Sequence, residues 1–220
     1  MYRYHARSLE GFVRQVAVSY VGRGYHHYVR GTLRDGLDPE EIDRKLIEKY
    51  DIAISKAERC RRKQAGRAAV QYIRFEREFL LLATRGRHAL FDEEAKVIKH
   101  VRDRAIPVRG YLIGHGQDPS GRLHPRVQIA PLPYKRLKAY FLELARHRRV
   151  ETLVELFERF PFEPYAKVRS QMLAIFRAVN GLRERAGFEP VPKTCLPLRL
   201  RPIRPFEDVR PYPPLLRQIA

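Results

Sequence analysis

Histidines and acids are the residues of this chain best suited to chemistry, and two histidines stand side by side. The stretch Tyr25-His26-His27-Tyr28-Val29-Arg30 sets adjacent imidazoles among aromatic rings and a guanidinium. Imidazole changes charge near neutral pH and serves as acid, base or metal ligand. Successive side chains of a strand point to opposite faces, so Tyr25 and His27 share one face while His26 and Tyr28 share the other. A regular strand would therefore keep the two histidines from holding one metal ion. Aromatic residues on a sheet also stack unpaired bases, which makes Tyr25, His27 and Tyr28 candidate stacking residues. Packing in a core is the plainer role for a strand tyrosine.

Relaxases and rolling-circle nucleases use a related pair, with one bulky apolar residue between the two histidines. Here the histidines are adjacent, so the likeness stops at that spacing. Tyr165, near Gln171, is where a tyrosine nucleophile would be sought, but without the pair it reads as an ordinary residue of an amphipathic helix. Asp92 and Glu94-Ala95-Lys96 are similar to the metal-dependent nuclease core, in which carboxylates bind a divalent ion and a lysine positions water. That core needs its glutamate and lysine on a buried strand, whereas Asp92-Glu93-Glu94 reads as the acidic first turn of a helix. His115 and His124 flank a loop rich in Gly, Asp and Pro, and with Asp118 they make an incomplete metal site. An enzyme would need Asp92, Glu94, His27, His88, His115 and His124 to converge from distant positions. No Gly-rich loop leads to Lys and Ser or Thr, and there is no serine elbow, so nucleotide hydrolysis and acyl transfer lack support.

Charge gives a broader signal. Lys and Arg number 44 against 25 Asp and Glu, a formal charge of +19, and such self-repulsion is best explained by a polyanionic partner. The densest source is the segment 55 to 67, where Lys56, Arg59, Arg61, Arg62, Lys63 and Arg67 accompany one acid, Glu58. A charged run is usually a solvated helix face, but guanidinium forks at this density suit a phosphate backbone. Arg74, Arg77, Arg85 and Arg87 extend the candidate nucleic-acid contacts onto the following strands.

The elements that must position these residues follow from pattern. Phe12 to Val21 and Tyr25 to Leu33 read as two strands joined by the Gly22-Arg23-Gly24 turn. Asp38-Pro39-Glu40-Glu41 signals a helix over 39 to 50, with a cap, a first-turn proline and a capping-box acid. Ser55 with Glu58 caps the basic helix, and Gly66 lies near its end. Val70 to Phe75 and Glu78 to Thr84 read as a second hairpin. A short helix from Asp92 would carry Val97, Ile98 and Val101 on its apolar side and stop at Pro107. A third strand pair spans Val108 to Ile113 and Arg126 to Ile129. From Pro133 the apolar period is helical, giving three helices that end at 145, before Pro161 and at Gly187.

After Gly187, eight of the 16 prolines fall in the last 33 residues, which excludes helix and central strand. Arg199, Arg201, Arg204 and Arg210 decorate this arm, and its leucines suit docking on its own body or on a protein partner. The expected organisation is α+β. A basic domain over 1–132 carries amino-terminal antiparallel hairpins with helices, a helical subdomain over 133–187 packs on it, and a Pro/Arg-rich extended arm spans 188–220.

Cys60 and Cys195 are the only cysteines and no apolar run is long enough for a membrane span, so a cytoplasmic protein that uses no membrane is expected. The function expected is non-catalytic binding of DNA or RNA, without cofactor, in a mobile element or ribonucleoprotein setting. The alternatives are a nuclease, transposase or replication initiator using Mg, and a scaffold subunit of a ribonucleoprotein or defence complex.

Overall fold

In the computed structural model, the described residues are 2–117, 120–121, 123–146, 149–158, 165–196 and 204–207. They fall into two compact units. Those within 1–106, 113–125 and 203–209 form one, and those within 107–112 and 126–202 form the other.

In the first unit the chain opens with a helix rather than a strand. α1 (Leu9–Arg14) runs on through a π-helical stretch, Gln15–Tyr20, and a 3-10 turn, Val21–Arg23. Ser8 caps it by accepting from the Gly11 amide, and Gly24 stops it at φ +93°. The expected hairpin over 12–33 is thus half wrong. Its β-branched residues favour strand, but Phe12, Val16 and Tyr20 recur every four residues, as do Val13, Ala17 and Val21. All six are buried, and burial of one helical face overrides propensity.

β1 (His27–Thr32) follows, then α2 (Pro39–Lys49) and α3 (Lys56–Gln64). Asp38 caps α2 through the Glu40 amide and Ser55 caps α3 through the Glu58 amide, as the two sequence signals predict. β2 (Val70–Phe75) and β3 (Glu78–Ala83) form the expected second hairpin. After α4 (Ala89–Glu93) comes β4 (Lys99–His100), and the antiparallel sheet has the order β2-β3-β1-β4. Its register sets His27 opposite both Ala83 and His100, and Val70 opposite Ala83. Gly31 lies opposite Phe79, whose ring would stand 2.2 Å from an added Cβ.

The outer edge of β2 is covered by the amino-terminal segment, since the Arg74 amide donates to the Tyr4 carbonyl and the Ala6 amide donates to the Arg74 carbonyl. Val29, Tyr50, Ile52, Val70, Tyr72, Leu81, Ala83 and Leu90 form a core against this sheet.

The acids of α4 close its helix instead of opening it, because the cap is His88, whose Nδ1 accepts from the Leu90 amide. Val97, Ile98 and Val101 accordingly lie beyond the helix, Val101 in the turn after β4. β5 (Ile106–Val108), β6 (Tyr111–Gln117) and β7 (Leu123–Ile129) form a second sheet in that order, wider than the expected strand pair.

The second unit is built on α5 (Pro131–Leu144), α6 (Val150–Glu158) and α7 (Ala166–Arg185). Phe157 joins their apolar faces, with its ring 4.6 Å from Phe141 and 5.4 Å from Phe176. The Gln171 amide exchanges two hydrogen bonds with the backbone of Ile129, tying α7 to the end of β7. Arm residues 188–196 pack rather than trail. The Asn180 side chain pairs with both backbone groups of Val191, and Val191, Cys195 and Leu196 are buried. Arg199, Arg201 and Arg210 of the expected arm, and most of its prolines, lie outside the described residues. The fold is α+β with a helical carboxy-terminal half, and no helix among the described residues is long and apolar enough to cross a membrane.

Candidate nucleic-acid interface

The basic helix α3 has no fully buried residue. Its charges do not all stay free. The Arg59 guanidinium donates to the Ile54 carbonyl, and Arg62 is held by Asp51 and Glu58, leaving its side chain only 10 % exposed. Arg61 reaches Glu58 at 3.4 Å. Lys56, Lys63 and Arg67 are exposed and have no acidic partner among the described residues. Within one nine-residue helix, some bases therefore fasten the helix down and the others face outward.

The outward set gains neighbours from another part of the chain. The Ala68 amide donates to the Arg87 carbonyl and the Arg87 amide to the Gly66 carbonyl, each at 3.0 Å, so Arg67 and Arg87 face each other across a parallel bridge. Gly86 permits this. At φ +135°, its added Cβ would stand 2.6 Å from both the Ala68 nitrogen and the Arg67 carbonyl carbon. The result is a ridge of Lys63, Arg67, Arg85 and Arg87, all exposed and none with an acidic partner among the described residues. Sequence reasoning named each of these residues. The bridge that joins them has no local signal except the glycine at 86.

Arg74 departs from expectation. It points inward, is 5 % exposed, and clasps Asp43 through Nε and a terminal nitrogen at 2.9 and 2.7 Å. Its other terminal nitrogen donates to the Glu76 carbonyl, and the Tyr72 hydroxyl also donates to Asp43. Every residue of β2 is buried, so alternation could not place Arg74 on the surface. Arg77 is half-buried, donating to the Leu33 carbonyl at 3.0 Å and lying 3.3 Å from Asp35. It fastens the connection after β1.

The proposed stacking residues are also spent on the fold. Tyr25 and Tyr28 are buried; the Tyr25 hydroxyl accepts from the Gln71 side chain and the Tyr28 hydroxyl donates to the Ala105 carbonyl. His27 remains half-buried, its ring edge to face with Phe91 at 5.1 Å. Tyr25 and Tyr28 therefore offer no open face on which a base could stack.

No family model, curated protein or solved structure matches the chain.

Of the nuclease-like acids, Glu94 has a structural role, shared with its neighbour Glu93. The Tyr50 hydroxyl donates toward Glu94 at 2.9 Å and Glu93 at 3.2 Å, and Lys49 pairs with Glu93 at 2.6 Å. Burial, helped by the bond to Glu94, pushes the Tyr50 hydroxyl up to about 12. The acids thus join the end of α2 to α4. His88 is committed as a cap, and Asp118 lies outside the described residues. Among the described residues no three His, Cys, Asp or Glu side chains converge as metal ligands.

One convergence does occur, and sequence reasoning missed it because it required His100. Residues 92–101 read as helix, which hid a two-residue strand that sets His100 directly opposite His27. His26, His27, His100 and His115 form a chain of ring contacts.

Proposed function

We propose that this protein binds nucleic acid through the ridge of Lys63, Arg67, Arg85 and Arg87, with Lys56 and Arg61 extending it along α3. The observation that carries the reading is the Arg67–Arg87 bridge. The fold brings Arg67 and Arg87 side by side, and neither has an acidic partner among the described residues. Folding alone would disfavour that arrangement, and a phosphate backbone relieves it. Guanidinium groups supply paired donors to phosphate oxygens, so this ridge positions a strand without reading its bases.

Binding is non-catalytic in this reading; of the acids named for metal chemistry, Glu94 instead accepts from the Tyr50 hydroxyl and so ties the end of α2 to α4. A cytoplasmic setting, in a mobile element or a ribonucleoprotein, suits a chain whose two cysteines are free.

Titration with labelled duplex DNA, single-stranded DNA and structured RNA at several salt concentrations tests the proposal. For a duplex, the logarithm of affinity should fall with the logarithm of salt by about 0.9 for each phosphate neutralised. Replacing Lys63, Arg67 and Arg87 together by Ala should lower that slope by roughly two to three while leaving the melting temperature nearly unchanged. An unaltered slope in a folded triple variant would remove the ridge from the interface.

A further inference from the structure

We propose that His26, His27, His100 and His115, with the adjacent Arg102, form a phosphate-binding subsite whose occupancy takes up protons. The inference rests on the nucleic-acid reading for its natural ligand, a phosphodiester, but the residues are separate from the basic ridge.

Geometry comes first. His26 immediately precedes β1, His27 begins it, His100 lies on β4 and His115 on β6. Because His26 precedes the regular strand, it and His27 both reach the His100 ring, at 5.8 and 4.9 Å between centroids. His26 also meets His115 at 4.3 Å, edge to face. All four are half-buried, so each keeps some access to solvent. His100 accepts from the Arg102 amide through Nδ1 at 3.3 Å, which places its own proton on Nε2 as a donor. The Nδ1 atoms of His27 and His115 are buried without a hydrogen-bond partner. Among the described residues these side chains form no metal-ligating trio.

Electrostatics then select an anion. The groups acting on the cluster are almost all cationic or able to become so. Arg102 faces His26 and His115, His124 faces His115, and each histidine faces another. Among the described residues the one acid acting on the cluster is Asp103, a highly exposed residue with its carboxylate 4.0 Å from His100, and Phe91 packs on His27 from α4. Burial, and after it the neighbouring positive groups, hold His26, His27 and His115 below the ordinary imidazole value. Charging His26, His27 or His115 in the free protein therefore costs free energy. A phosphate group pressed against the cluster reverses that balance, because the anion favours the protonated rings and supplies acceptors for their N–H groups.

Linkage fixes the direction of the pH effect. Where binding raises a histidine's pKa, the complex holds more protons than its separated parts, so affinity rises as pH falls through the range near 6.5. Arg and Lys do not titrate there, so a ridge acting alone would give affinity flat between pH 5.5 and 8.

The test measures affinity for whichever polymer binds best, from pH 5.5 to 8 at fixed ionic strength, for the full chain and for a His26→Gln/His115→Gln variant. Histidine proton NMR follows each imidazole midpoint in the wild type with and without tripolyphosphate. The expected result is an affinity gain approaching about one decade per pH unit for each proton taken up. The double variant should lose that gain, and tripolyphosphate should raise the imidazole midpoints. Should the double variant fail to fold, the wild-type midpoints still decide. Nucleic-acid binding with flat pH dependence and unmoved midpoints would overturn the subsite and leave the ridge standing. Raised midpoints without nucleic-acid binding would keep the subsite and overturn the ridge as a nucleic-acid interface. No response to either probe would overturn both.

Discussion

Arg74 and Arg67 lie seven residues apart and carry the same side chain, yet the fold uses them in opposite ways. Arg74 is sealed in the sheet with Asp43, Tyr72 and the Glu76 carbonyl around it, so its charge is answered within the protein. Arg67 stands in solvent beside Arg87, and among the described residues no acid answers either. A buried cation must find its partner before folding is complete, whereas an exposed one can wait for a partner from outside. Counting arginines cannot separate the two cases; what separates them is whether the backbone brings a carboxylate within reach.

The sharpest way to break this contrast is to remove the buried carboxylate. Asp43→Ala leaves a guanidinium uncompensated in the core and should cost about 3–5 kcal/mol, read by thermal or urea unfolding. Adding Arg74→Met to Asp43→Ala should recover much of that loss, because an apolar side chain of similar length has no charge to satisfy. A single variant as stable as the wild type would mean that Arg74 escapes to solvent, and the contrast would dissolve.

Gly86 tests the other half. Gly86→Ala puts a Cβ 2.6 Å from the Arg67 carbonyl carbon at a φ that L residues avoid, and should destabilise by about 1–3 kcal/mol. It should also weaken nucleic-acid binding more than its stability loss explains, since the bridge must shift. Loss of stability with binding intact would show that the two segments need not touch to act.

Much of this contrast was legible in the sequence, and the illegible parts share a physical cause. Local signals placed α2 and α3, because Asp38 and Ser55 announce their caps without help from distant residues. The hairpin of β2 and β3 followed from β-branched and aromatic runs. The first segment failed because Phe12 to Val21 satisfies both periods, and only the tertiary environment chose the helical one. Arg74 failed because a strand buried on both faces conceals its charge among apolar neighbours, and Asp43 sits on a helix 31 residues away. The histidine cluster needed β4, a strand too short to show a period. Charged ridge residues were nameable, but their meeting was not, since a parallel bridge between residues 67 and 87 leaves no trace beyond one glycine.

The smallest expected effect probes how the ridge is held. Ser55→Ala removes the acceptor for the Glu58 amide and should cost about 1 kcal/mol, chiefly by fraying the first turn of α3. Lys63 and Arg67 lie at the other end, where backbone bonds to Arg87 fix the chain independently of the cap. Salt-dependent affinity should therefore stay within about twofold of wild type, because the main outward charges keep their places. A binding loss as large as that of the triple ridge variant would instead mean that α3 presents its charges as one rigid unit. Lys56 and the first turn would then belong to the interface on equal terms with Arg67 and Arg87.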